Sequence, residues 1–598
     1  MSLFRKLLGA KKIILFYILA LLSPVLILIG AEFALRFTSG YQNTTLIQPI
    51  NNHSKAVINT TYFDRYYSSF NPSTSIAPFS NPRDTSVIRI LSLGGSTMAG
   101  YPYSHHFSPS ALLEINLKKA FPGTTFEVIN TSITAFNSFG IVDITSKMAE
   151  LNPDIIMIYA GHNEFYGTMG SASAEGVSTS ALLRRSFLNL YPIALFQFSY
   201  RFYKKLTTDN SDKSNRKTTM SRLMTSADIP LDESLFKQTM FDFHENLMLI
   251  FEYASRNEIP IAIATVVSNL KDQLPLGENK EALNYKYLAD SIYVAGDIES
   301  ARRLYQLARD YDPIRFRAPS HINSIIRGFT QQTGSYLVDI DQSYKYQCAS
   351  GIEDASCFTD HLHPNYYGYK HIAQEFYNII SPIIEQKFNY SNTSESAFVI
   401  PELDPLEKRL ADINIQILKS SPPFTNHSFS ASTTTESILN GLFKSASLID
   451  NAAYSIITNH THPAVIYENL INTSTESTSD WFYSWSEWSP LNEQILIQGI
   501  NESLAGQTPA GNLEVLLLKG SNEFNKTQFY NILGARFLLQ RDYNNAKNYL
   551  QIVENRSPND TDMLYNMAVL HDEIGKSELA IYYLQRYQSI VSQSDTRQ

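Results

Sequence analysis

Cysteine is almost missing from this chain of 598 residues: there are two, too few for a disulfide-built scaffold or a zinc module on four thiolates. Tryptophan is nearly as scarce. Three stand against 36 tyrosines and 34 phenylalanines, so aromatic bulk is supplied almost without indoles. A basic excess is also lacking. Lys+Arg 48 against Asp+Glu 57 gives a net charge of -9, which argues against nucleic acid as a partner, because phosphate contacts need concentrated positive charge. Charged residues make up only 18% and hydrophobic ones 43%, a balance that fits a folded chain and not a disordered one. The length exceeds what one core can serve and points to several domains.

Long apolar runs are absent except at the start. Arg5, Lys6, Lys11 and Lys12 precede the uncharged run Ile13–Gly30, which as a helix would span roughly 27 Å, the thickness of a thin hydrocarbon core. A cleaved signal peptide is the rival reading, but no small-x-small site ends the run. The expectation is therefore a single N-terminal transmembrane helix within residues 1–40. The charge before it would hold the amino terminus in the cytoplasm, and the bulk would be periplasmic or extracellular. Residues 41–86, rich in Asn, Ser, Thr and Pro, read as a linker or stem.

From residue 87 the pattern changes. Val87–Leu93, Phe126–Asn130, Asp154–Ala160, Ile259–Val267 and Tyr336–Asp341 are short apolar runs separated by helical stretches. Interleaving of this kind predicts a three-layer α/β/α domain on a parallel sheet over 87–390, with functional residues just past the strands' carboxyl ends. Inside it, about 281–315, Ala289, Gly296, Ala301, Ala308 and Pro313 fall at tetratricopeptide spacing. Residues 396–598 read as an α-helical tetratricopeptide-like region. Gly534 and Ala568, like Ala546 and Ala580, stand one 34-residue period apart, and Leu406, Leu410, Ile413 and Ile417 form the apolar stripe of a further helix.

Three fragments just past predicted strands carry chemistry. Gly94-Gly95-Ser96-Thr97 can turn sharply and expose a hydroxyl. Gly161-His162-Asn163-Glu164 places an amide where it can donate to a developing oxyanion. In Asp360-His361-Leu362-His363, the Asp three residues before His363 can fix its tautomer and stabilise the imidazolium. Each fragment alone is weak, but their order and placement are not.

On these residues the chain resembles the SGNH (GDSL-type) hydrolase superfamily, and in particular its membrane-anchored bacterial members fused to tetratricopeptide repeats. The resemblance covers roughly residues 87–380. It implies that Ser96 is the nucleophile, His363 the base and Asp360 its partner, with an oxyanion hole from Ser96, Ala135 and Asn163. Gly95 replaces the aspartate of GDS, and Ala135 stands where relatives carry a glycine. The implied activity is a serine esterase acting on an O-acyl, especially O-acetyl, ester of an envelope carbohydrate. An O-acyltransferase using the same residues and an inactive scaffold binding partners through its repeats are the alternatives. No cofactor or metal is expected.

Four further features belong to the sequence alone. His162 is a candidate substrate contact, a local structural hydrogen bond being the plainer role. Cys348 and Cys357 flank a short segment before Asp360 and can bridge outside the cytoplasm or remain free thiols. Leu182–Tyr203 is apolar and aromatic, fit to be a lid, a membrane-lying patch or a packed segment. Trp481, Trp485 and Trp488 share one helix face, a stacking platform or a core stripe. A protein partner on the helical repeats is a further expectation.

Overall fold

The computed structural model describes residues 22–595 apart from 39–40, 43, 51–54, 68–78, 174–175, 208–227, 391–397, 401–402, 404, 422, 425–434, 446, 460–529, 532–533, 536 and 539–541. The three tryptophans lie outside the described residues, as do positions 13–21. The expected transmembrane anchor is corrected. Among the described residues no helix is long and apolar enough to cross a membrane. The helical stretch 22–36 carries an ion pair, Arg36 Nε to Glu32 Oε1 at 2.8 Å. Glu32 also accepts the N–H groups of Ala194 and Leu195 at 2.9 Å each. It thereby caps the amphipathic helix Ala194–Thr207 and ties the end of that stretch to it.

The expected stem is instead packed structure. Strands β1 (Ile47–Ile50), β2 (Lys55–Ile58) and β3 (Phe79–Ser80) form a small antiparallel sheet. A 3₁₀ turn, Thr60–Arg65, buries Tyr62 and Phe63 in the main core together with Tyr66. Arg65, Tyr62 and Tyr66 converge on the buried carboxylate of Asp143, at 3.2, 2.7 and 2.5 Å. Burial alone would raise that carboxyl, but the charges of Arg65 and Lys147 hold it below its ordinary range.

Strands β4 (Val87–Gly94), β5 (Thr125–Asn130), β6 (Ile155–Tyr159), β7 (Ile261–Ala264) and β8 (Tyr336–Val338) make the central sheet, ordered β5-β4-β6-β7-β8. Every pairing is parallel. All residues of β4, β6 and β7 are buried, as expected of strands covered by helices on both faces. The helices Ser138–Ser146, Ser234–Ser255, Ser320–Thr333 and Tyr366–Phe388 contribute to one large core with these strands. The order changes direction between β4 and β6, and their carboxyl ends open a crevice at that switch point.

The insertion after β7 is a helical hairpin, Lys280–Val294 and Ile298–Tyr311, closed by Gly296 at φ 92°. Arg302 anchors it by donating to Glu353 (2.9 Å) and Asp341 (3.1 Å), both buried. The C-terminal third is helical where described. Pro405–Lys419, Thr435–Phe443, Leu448–Asn459, Tyr543–Arg556, Thr561–Glu573 and Ser577–Asp595 build a second apolar cluster containing Leu406, Ile413, Leu550, Leu564 and Ala568.

Candidate active site

Two glycines close β4 because there is no space for side chains. A Cβ on Gly94 would lie 2.5 Å from the Tyr159 carbonyl, and one on Gly95 would lie 2.4 Å from the Asn163 amide nitrogen. Gly95 thus lets the two strand ends approach until Asn163 sits beside the nucleophile position. The chain then turns into the short helix Ser96–Ala99, with Ser96 in its first position.

Ser96 Oγ lies 2.7 Å from His363 Nε2, although 267 residues separate them. His363 Nδ1 lies 2.6 Å from Asp360 Oδ2. The other oxygen of Asp360 accepts the N–H groups of Leu362 and His363 at 2.8 Å each, so the carboxylate is locked in place within its own turn. Burial would raise this carboxyl, but the His363 and His361 imidazoles, by charge and hydrogen bonding, hold it well below its ordinary range. An ionised Asp360 keeps the proton on Nδ1 of His363 and leaves the Nε2 lone pair facing the serine hydroxyl. Tyr101 lies against the imidazole, with ring centroids 4.6 Å apart.

Asn163 donates from Nδ2 to the Phe136 carbonyl at 3.0 Å, which orients the amide and leaves its second N–H for another acceptor. Ala135 has φ 60°, the left-handed region that glycine adopts without cost. Its methyl therefore carries a backbone strain that a glycine at this position would not. Neither the Ser96 nor the Ala135 N–H makes a hydrogen bond among the described residues. Both border the cavity with Asn163.

His162 accepts the Ala318 N–H on Nδ1 at 3.1 Å. Burial, reinforced by the neighbouring His361 and His363, pushes its pKa down to about 3, so it is a neutral ring. It has the structural hydrogen bond and also lines the cavity. Glu164 accepts the N–H (3.0 Å) and hydroxyl (2.6 Å) of Ser138 and braces the loop. Cys348 and Cys357 are joined by a disulfide in the segment leading to Asp360. The Leu182–Tyr203 stretch forms parts of two helices, with Leu188 and Tyr191 in the core and Leu182, Leu183 and Phe202 exposed.

The cavity over Ser96 measures about 260 Å³. Several of its walls escaped the sequence reading. Tyr101 and Leu362 adjoin His363, and Tyr166 and Phe316 line the cavity in contact with each other, with ring centroids 4.8 Å apart. Asn414, Ile417 and Leu418 come from the helix Pro405–Lys419, beyond the α/β domain's last helix. The remote Tyr67 also acts here, its hydroxyl donating to the Thr134 carbonyl beside Ala135. Nothing local in the sequence marks Tyr101, Tyr166, Phe316 or Tyr67 as part of the site.

Among the described residues Asp360, His361 and His363 are close enough to share an ion, but the same geometry orders the imidazole toward Ser96. No family model matches the chain, and no curated protein does. Solved structures match about half of it. The esterase EstA from Pseudoalteromonas sp. is 12% identical, covering 50% of this chain and 98% of its own at a TM-score of 0.25. A GDSL-like lipase from Bacteroides thetaiotaomicron is 12% identical, over 50% and 88%, at 0.25. A lipase/acylhydrolase from Enterococcus faecalis is 12% identical, over 51% and 99%, at 0.26.

Proposed function

We propose that the chain is a serine hydrolase of carboxylic esters. The observation that carries this reading is the unbroken line from Ser96 Oγ through His363 to Asp360, beside the Asn163 amide in one cavity. His363 takes the serine proton as Oγ attacks the ester carbonyl, and Asp360 stabilises the imidazolium. The oxyanion is met by the Ser96 and Ala135 N–H groups and by Asn163 Nδ2. Breakdown expels the alcohol with the proton from His363, and water releases the acyl group by the same steps in reverse roles.

The substrate class follows from the walls. A carbohydrate O-acetyl ester is what the resemblance implies. The rings of Tyr101, Tyr166 and Phe316 and the side chains of Leu362, Ile417 and Leu418 favour an O-acyl ester with apolar groups around its carbonyl. The disulfide supports an oxidising, extracytoplasmic compartment.

Hydrolysis of nitrophenyl acetate by the full chain tests the reading. Ser96→Ala and His363→Ala should each lose at least about a thousandfold in kcat while retaining the wild-type melting profile. Equal rates in all three proteins would reject it.

A further inference from the structure

The helix Pro405–Lys419 belongs to two cores at once. Leu406 and Ile413 are buried in the C-terminal cluster, and Ile417 packs against it. Leu418 is buried in the core of the α/β domain. Asn414, Ile417 and Leu418 line the cavity over Ser96. The helix is tied to the residues around the imidazole. The Tyr101 hydroxyl donates to the Asn414 carbonyl at 3.4 Å, Lys419 Nζ donates to the Thr359 carbonyl at 2.9 Å, and Glu407 accepts the Ser104 N–H. Tyr101 therefore stands between this helix and His363. Just past the helix, Phe424 meets the His361 ring at 4.9 Å.

The chemistry gives that side of the cavity a meaning. When the tetrahedral intermediate collapses, the bond from the carbonyl carbon to the alcohol oxygen breaks and its electron pair stays on that oxygen. The oxygen takes the proton held on His363 Nε2, and the acyl group remains on Ser96. The Nε2–H lies in the plane of the imidazole, so the alcohol must leave past the Nε2 edge of the ring. Resting on the serine-hydrolase reading, we propose that the C-terminal region supplies, through Ile417 and Leu418, the binding wall for the leaving alcohol, and that it selects esters of aliphatic alcohols longer than ethanol. The region is then part of the active site, in addition to any surface it offers to a partner.

Two ester series separate this from an acyl pocket. Ethyl, butyl and hexyl acetate vary the alcohol at a fixed acyl group. Ethyl acetate, ethyl butanoate and ethyl hexanoate vary the acyl group at a fixed alcohol. Unactivated primary alcohols leave with similar ease, so differences within the first series report binding. With the full chain, kcat/KM should rise along the alcohol series by up to about fourfold per methylene. Ile417→Ala and Leu418→Ala should lower the hexyl-to-ethyl ratio by about three- to tenfold, while the ratio along the acyl series stays as in the wild type. Leu418 is deeply buried. Should Leu418→Ala lose its cooperative melt, the half-buried Ile417 decides, with Ile417→Val giving a smaller drop than Ile417→Ala. Unchanged alcohol ratios in the Ile417 variants, or a shift confined to the acyl series, would overturn the proposal. Full activity of Ser96→Ala on ethyl acetate would instead overturn the hydrolase reading beneath it.

Discussion

Asn163 and Glu164 are adjacent and do opposite things with burial. The Asn163 amide is held by the Phe136 carbonyl, so its free N–H is aimed before any charge develops, and preorganised donors of this kind act mainly on the transition state. Asn163→Ala should therefore lower kcat on nitrophenyl acetate by about a hundredfold with little change in KM. A fall carried wholly by KM would place the amide in ground-state binding. Glu164 faces Ser138 in the core, and burial pushes its pKa up to about 7 against the opposing hydrogen bonds of Ser138. The sign follows from linkage. Below the unfolded value, near 4.5, the carboxyl is protonated in both states and costs nothing. As pH rises toward 7 the unfolded chain ionises first, so folding stability is lost across that window, by about 3 kcal/mol in total. Glu164→Gln keeps a neutral group able to donate to the Ser138 hydroxyl and accept its N–H. Urea unfolding at pH 5 and pH 8 should show the wild type losing stability relative to the variant, and parallel curves would refute the assignment.

At the scale of elements, the segment before β4 behaves as a buttress. Tyr67 donates to the Thr134 carbonyl, and Phe136 packs edge-on against Tyr66 and Phe63, with centroids 5.1 and 6.1 Å apart. The loop that presents the Ala135 N–H is thus held from residues that read as a linker. Tyr67→Phe keeps the ring and removes the hydrogen bond. It should lower kcat about three- to tenfold on nitrophenyl acetate, in line with a loosened oxyanion donor worth about 1 kcal/mol, and leave KM near the wild type. A fall in stability with unchanged kcat would make Tyr67 structural only. The contrast shows what the sequence could reveal. Fully buried parallel strands are continuous apolar runs, so β4, β6 and β7 stand out one by one, and residues past their ends become candidates by rule. Residues 41–86 are dominated by polar types, and the aromatic group Tyr62, Phe63, Tyr66 and Tyr67 is too short to outweigh them. Its partners Asp143 and Thr134 lie 67 or more positions away, so only the folded chain brings them together. Leu418 escaped for a related reason. The stripe Leu406, Leu410, Ile413 and Ile417 marks one face of its helix, but a second, shorter face has no periodicity to reveal it.

For the whole molecule, the two largest apolar clusters among the described residues share the helix Pro405–Lys419. The larger contains the sheet and its covering helices, and the smaller contains Leu406, Ile413, Ala546, Leu550 and Leu564. Separate cores of this kind give separate cooperative units unless the interface between them is large and apolar. Heating the full chain should therefore produce two calorimetric transitions. Leu550 is fully buried and closes on Gly534, where an added Cβ would come within 2.6 Å of its side chain. Leu550→Ala leaves a cavity there and should destabilise the C-terminal unit by about 2–5 kcal/mol. One transition should then move down while the other stays in place. Since Pro405–Lys419 is seated in both clusters, loss of the C-terminal core should free the wall beside His363 while Ser96, His363 and Asp360 remain held by the sheet. Just above the lower transition, provided that it belongs to the C-terminal unit, hydrolysis of ethyl acetate should continue with the preference for hexyl acetate reduced. A single transition that Leu550→Ala shifts as a whole would mean that the helix welds the two cores into one folding unit, and selectivity would then be lost only together with activity.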